Sequence, residues 1–119
     1  MNTQTPFKSA YLRFLQLVSA VTAMPGVEHF DANEKALFNT LSLAWSQGAP
    51  LSVRGAINQA SLGSPATLHK RLKRLIAKDL IIAELADQDR RTKYLRPTEK
   101  GLIYIEWLST QMATTMQSV

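Results

Sequence analysis

Residues 62–81 read LGSPATLHKRLKRLIAKDLI, and residues 82–101 read IAELADQDRRTKYLRPTEKG. Ser64 followed by Pro65 marks a helix start. The hydroxyl can accept a free first-turn N–H, and proline at the first helical position loses no hydrogen bond. Leu68, Leu72, Leu75 and Ile76 then recur at helical spacing and are expected in the core. Lys70, Lys73, Arg74 and Lys78 do not share their face. From Leu80 to Ala86 the alternation of Ile81, Ala83 and Leu85 predicts a strand, and Asp87 to Arg91 is polar turn material. Lys93 to Arg96 returns as a second strand, and Pro97-Thr98 stops it and opens a helix from Glu99 to about Gln117. The order is a basic helix, a charged hairpin and a helix.

Upstream, Ser52 can cap a short helix from Val53 to about Ser61, with Val53, Ala56, Ile57 and Ala60 inward and Leu62-Gly63 as the turn. Ala49-Pro50-Leu51 is a short extended link. Leu37, Phe38, Leu41, Ala44 and Trp45 form the face of an earlier helix. It starts at Asp31 with Glu34 three residues on, a capping-box pattern, and Gly48 stands just past its end. Phe7, Tyr11, Phe14, Val18 and Val21 mark a first helix, which Pro25-Gly26 ends. The expected fold is mainly α with a small β-hairpin: a winged helix-turn-helix with a further helix at each chain end. Its 119 residues fit one domain, with terminal helices at 1–24 and 102–119 around a core at 31–101.

Composition narrows the function. No cysteine is present, so disulfides, thiolate metal sites and thiol redox chemistry are excluded. No apolar run approaches the ~18 residues of a membrane span, and MNTQTPFKSAYLRF does not read as a secretory signal. A cytoplasmic protein is expected. His29 and His69 lack metal-ligand company, and no phosphate loop or nucleophile motif occurs. Neither catalysis, a cofactor nor a metal is expected.

Charge points to a polyanion. Eleven of the 14 Lys/Arg lie between residues 51 and 100 against five of the nine acids, so that half carries +6 and the remainder −1. A helix-turn-helix lays its second helix in the DNA major groove. With the leucines inward, Pro65, Ala66, His69, Lys70 and Lys73 face out, and Thr67 lies near the edge. Ser64, Thr67 and the first-turn N–H groups suit phosphate. Lys70 suits a guanine edge or a phosphate, His69 a base, and Ala66 and Thr67 thymine methyls. Arg74 and Lys93 add to the basic surface. Arg90 and Arg91 at the hairpin tip suit the negative potential of a minor groove. Asp89 would repel phosphate, so its expected task is to hold Arg91 in one rotamer.

The stretch from Leu51 to Gly101 resembles the MarR family of bacterial transcription regulators. DQDRRTKYLRPTEKG is similar to the family signature of Asp, one residue, Arg, a few strand residues, then Leu-Thr-x-x-Gly. Asp89, Arg91, Thr98 and Gly101 fall on its Asp, Arg, Thr and Gly. The resemblance implies that Arg91 enters the minor groove, oriented by Asp89, and that Ser64 to Lys73 read the DNA. It also implies a homodimer in which the terminal helices interlock, the wing spans 87–93 and the protein represses transcription at a near-palindromic operator. Pro97 replaces the usual leucine. Asp79 stands where a helix-ending glycine is common, and aspartate tolerates the left-handed conformation better than most residues. The chain is also shorter than typical members, mainly in its outer helices.

The terminal helices carry more apolar surface than one small core needs. Phe7, Tyr11, Phe14 and Val18 with Ile105, Trp107, Leu108 and Met112 are the expected dimer interface. The leading expectation is a homodimeric regulator bound to duplex DNA, nucleoid-associated when bound. The alternative is a winged-helix protein-interaction or assembly module without specific DNA binding. Such a module has no need of Asp89, Arg90 and Arg91. Tyr11, Trp45 and Trp107 could line a pocket for a small-molecule effector of unknown identity, though aromatic residues at helical spacing are more often core.

Overall fold

The structure is a computed structural model and describes residues 6–21 and 30–117, with side chains at 9–19 and 30–114. Pro25-Gly26, His29 and the side chains of Phe7 and Val21 lie outside the described residues. The elements are α1 (Pro6–Val21), α2 (Ala32–Ser46), α3 (Val53–Ile57), α4 (Pro65–Ala77), β1 (Ile81–Leu85), β2 (Lys93–Pro97) and α5 (Glu99–Gln117). The chain divides into two compact units, residues 30–102 and residues 1–29 with 103–119.

The first of these is a winged helix. Its core gathers Leu37, Phe38 and Leu41 of α2, Ala56 of α3, Leu68, Leu72 and Leu75 of α4, and Leu80, Ile81 and Leu95 around the hairpin. Phe38 meets Phe30 and Trp45 edge to face, with ring centroids 6.0 and 5.7 Å away. The Trp45 indole N–H donates to the Leu95 carbonyl at 2.8 Å and ties α2 to β2. Trp45 is therefore half-buried against the core, with its polar edge already engaged.

Helix ends follow the local chemistry. Asp31 accepts from the Glu34 amide at 2.8 Å, and that N–H bond holds its carboxyl below the usual range. Ser52 accepts from Gly55 N–H at 3.0 Å and Ser64 from Thr67 N–H at 3.3 Å. Gly48, at φ +69°, follows α2 in the left-handed region. Asp79 does the same after α4, at φ 60°. There Leu80 N–H donates to Leu75 O at 3.1 Å and Asp79 N–H to Ile76 O at 2.9 Å. This is the Schellman closure, and the buried Leu75 and Leu80 supply its apolar contact.

Several local expectations give way to packing. The capping box is half formed, because the buried Glu34 carboxylate pairs with Lys78 at the end of α4. Lys78 also lies over the Phe30 ring, 5.8 Å from its centroid. Helix α3 stops at Ile57, short of Ser61, and Ala60 is exposed. Ile76 is exposed at the margin of the leucine stripe, roughly 80° around the helix from Leu68. Leu85 is exposed because the last rung of the hairpin projects past the core. The extended link 49–51 stays outside the named strands: Leu95 N–H donates to Leu51 O at 2.9 Å, and the adjoining Ser52 forms an isolated antiparallel bridge with Tyr94.

The sheet proper is the antiparallel pair β1–β2, in register Ile81↔Pro97, Ala83↔Leu95 and Leu85↔Lys93. Pro97 ends the pairing, where a missing N–H costs least.

In the second unit Tyr104 is buried, and desolvation pushes its phenol pKa up. Tyr11, Phe14, Val18, Ile103 and Met112 are exposed, while Ile105, Trp107 and Leu108 are half-buried. No described helix is long and apolar enough to cross a membrane.

Candidate nucleic-acid interface

Two elements carry the basic surface: α4, and the hairpin that starts three residues after its C-cap, Lys78. The inward Leu68, Leu72 and Leu75 turn Ala66, Lys70 and Lys73 to solvent, with Pro65 and His69 also exposed and Thr67 half-buried. The Ser64 hydroxyl donates to Thr67 Oγ1 at 2.9 Å while accepting from the Thr67 amide, so both side chains are held by the cap. The turn before α4 is braced by Arg71, whose guanidinium donates to Leu62 O at 2.8 Å. Arg71 is thus a structural cation.

Lys78 and Lys100 are structural as well. Lys78 neutralises Glu34, and Lys100 donates to the Lys78 carbonyl at 3.0 Å, covering the end of α4. The other basic side chains of this half are Arg54, Lys70, Lys73, Arg74, Arg90, Arg91, Lys93 and Arg96. All are exposed, and among the described residues none forms an ion pair. The positive charge is therefore available to a partner.

The tip of the hairpin is organised by Asp89. Its Oδ1 accepts from the Arg91 backbone N–H at 2.9 Å and its Oδ2 from the Thr92 hydroxyl at 2.8 Å. Thr92 N–H returns to Asp89 O at 3.2 Å, and Ala86 N–H to Thr92 O at 3.1 Å. These bonds hold the Asp89 carboxyl below its ordinary pKa, the Arg91 amide first and the Thr92 hydroxyl next. The expected grip on the Arg91 side chain takes a different form. Asp89 shapes the backbone that carries Arg90 and Arg91, and leaves the guanidinium free.

The base of the hairpin is clamped to the end of α4. Thr98 accepts from Gly101 N–H at 3.0 Å and donates its hydroxyl to Asp79 O, while its own N–H reaches Leu80 O at 3.2 Å. Thr98 and Gly101 therefore set where the wing leaves the core.

A groove of about 660 Å³ runs between α3, α4 and the wing, where Arg54, His69, Asp89, Arg91 and Lys93 come together. Lys70 and Lys73 lie further along α4. Arg74 falls roughly 140° around the helix from His69 and does not join them. Arg54 carries no role in the sequence reading. The available signal was its place one residue after Val53 in the first helix of the helix-turn-helix. Among the described residues no three His, Asp or Glu side chains gather into a metal-sized cluster.

No protein-family model and no curated protein matches the chain. Solved structures do match its fold. A MarR-like transcriptional regulator from Thermotoga maritima superposes with a TM-score of 0.71 at 18% identity, over 99% of this chain and 80% of that one. MepR from S. aureus, solved in complex with DNA, gives 0.70 at 18% identity, over 95% and 79%. MepR bound to ethidium bromide gives 0.69 at 18%, over 99% and 82%. The chain thus has the MarR-like winged-helix fold, mainly helical with a two-stranded antiparallel hairpin.

Proposed function

We propose that this protein is a sequence-specific duplex-DNA-binding transcription regulator of the MarR type, with no catalytic activity. The observation that carries the reading is the set of unpaired cations on α4 and the wing, beside a recognition-helix face of small and polar side chains. In this reading residues 64–78 enter the major groove. Ser64, Thr67 and Lys70 meet phosphates and base edges, Pro65 and Ala66 pack on the groove wall, His69 meets a base, and Lys73 and Arg74 meet the backbone. Arg90 and Arg91 of the wing, residues 87–93, reach into the adjacent minor groove, with Lys93 beside them.

The protein works as a homodimer. Tyr11, Phe14 and Val18 with Ile105, Trp107, Leu108 and Met112 bury against a second copy. Support comes from the exposure of Tyr11 and Phe14, at 61% and 57%. Two recognition helices about 34 Å apart would read a near-palindromic operator. Repression is the expected outcome, in a bacterial cytoplasm. A small-molecule effector belongs to the same reading, by likeness to the ethidium-bound MepR.

Selection of bound duplexes from a random pool tests the reading. A near-palindromic consensus, bound with strong salt dependence, is the expected result. No salt-dependent duplex retention at low ionic strength would remove it. Solution mass discriminates the assembly: twice 13.3 kDa supports the dimer, and a monomer favours a protein-interaction module.

A further inference from the structure

Arg54 opens toward the same groove as His69, Arg91 and Lys93, although it belongs to a different helix. The segment that carries it is tied to the wing. Leu51 O accepts from Leu95 N–H at 2.9 Å, Ser52 bridges Tyr94, and Ser52 caps the helix on which Arg54 stands. Arg54 and the wing strand are therefore fixed to one another by backbone. The carboxylate that lines the groove, Asp89, is engaged with the Arg91 amide and the Thr92 hydroxyl. Three basic side chains, Arg54, Arg91 and Lys93, face solvent across the groove with the His69 imidazole.

Duplex geometry says what can lie there. A major groove and its neighbouring minor groove are separated by a single phosphodiester strand. A helix in one and a wing in the other leave that strand no path except through the gap between them. We infer that the groove between α3, α4 and the wing is a backbone-phosphate site, with Arg54 as its anchor from the helix-turn-helix side. The inference rests on the DNA-binding reading above. Arg54 positions the duplex and carries no base information.

The test compares wild type, Arg54→Ala, Arg54→Lys and Arg96→Ala by fluorescence anisotropy on one selected duplex across a salt series. Arg96 is an exposed β2 cation that lies outside the groove and beyond the wing residues 87–93, and it has no place on the duplex in the reading above. Arg54→Ala should lower the slope of log K against log salt by about one unit, because one phosphate contact is lost. Affinity should fall roughly tenfold while the ranking of related duplexes is unchanged. Arg54→Lys should restore most of the slope, and Arg96→Ala should keep it. A wild-type slope in Arg54→Ala overturns the inference and leaves DNA binding intact. A changed ranking of duplexes overturns it too, since Arg54 would then read bases. A wild type without salt-dependent binding removes both readings. A free anion would use the same chemistry, so inorganic phosphate is added at constant ionic strength. No competition is expected. Competition that Arg54→Ala abolishes would make this a small-anion site and overturn the backbone assignment.

Discussion

Gly101, in the first turn of α5, lies so close to the Leu80 carbonyl that a Cβ on it would enter the oxygen's van der Waals shell. The approach is needed because Thr98, three residues earlier, donates to Asp79 O and caps α5 through Gly101 N–H. Residues 79–80 leave the basic helix and residues 98–101 leave the wing. This contact therefore fixes the angle between the two.

Gly101→Ala should push α5 off the Leu80 carbonyl and cost about 1–3 kcal/mol, as other overpacked sites do. Thr98→Ala should cost about 1 kcal/mol from the lost cap, and Thr98→Ser should recover most of it. Urea unfolding measures both. A Gly101→Ala protein with unchanged midpoint and DNA affinity would refute the clamp.

Asp79 holds a left-handed conformation that costs an L-residue roughly 1 kcal/mol. Asp79→Gly should raise stability by about 0.5–1 kcal/mol, because the relief exceeds the added freedom of the unfolded chain. Asp79→Val should lower it. The order of melting temperatures, Gly above Asp above Val, is the check.

The Glu34–Lys78 pair is unequal, with side chains 3% and 22% exposed. Lys78→Met strands a buried carboxylate and should cost about 3–5 kcal/mol. Glu34→Gln leaves an ammonium that can turn to water, so its cost should be smaller. Replacing both with apolar residues should be milder than Lys78→Met alone. Equal losses from the two single variants would contradict this account.

The depressed Asp89 pKa makes the wing tip acid-sensitive. Its contribution is fully present above the ordinary carboxylate range of about 4 and is lost as pH falls through the lower folded value. Protection of the Arg91 amide, measured against its intrinsic exchange rate at each pH, should therefore hold from neutral pH down to that range and fall off below it. Asp89→Ala should show quick exchange at neutral pH and weaker DNA binding. Fast exchange in the wild type at pH 7 would argue against the turn.

Arg91→Ala should weaken binding to all duplexes and lower the salt slope by about one unit. Thr67→Ala or His69→Ala should instead change base preference, by roughly 1–3 kcal/mol per lost contact. Selection on each variant separates the two outcomes. A shifted consensus in Arg91→Ala would reverse the roles.

Features set by neighbours along the chain were legible in the residues alone. The leucine stripe of α4, the Ser64-Pro65 start, the left-handed Asp79 and the hairpin between Ile81 and Pro97 depend on helix periodicity, strand alternation and caps within a few residues. What tertiary structure decided involves partners far apart in sequence. Glu34 left its local cap for Lys78, 44 residues away. Ile76 and Leu85 are apolar yet exposed, because the margin of the stripe and the tip of the hairpin lie beyond the core. Asp89 chose the backbone of its own turn over the Arg91 side chain, since two short bonds there need no ordering of a long one. Arg54 gained its place beside the wing only when Leu51 and Ser52 paired with β2. Local spacing determines which elements form, while the neighbours of a charged side chain depend on how those elements pack.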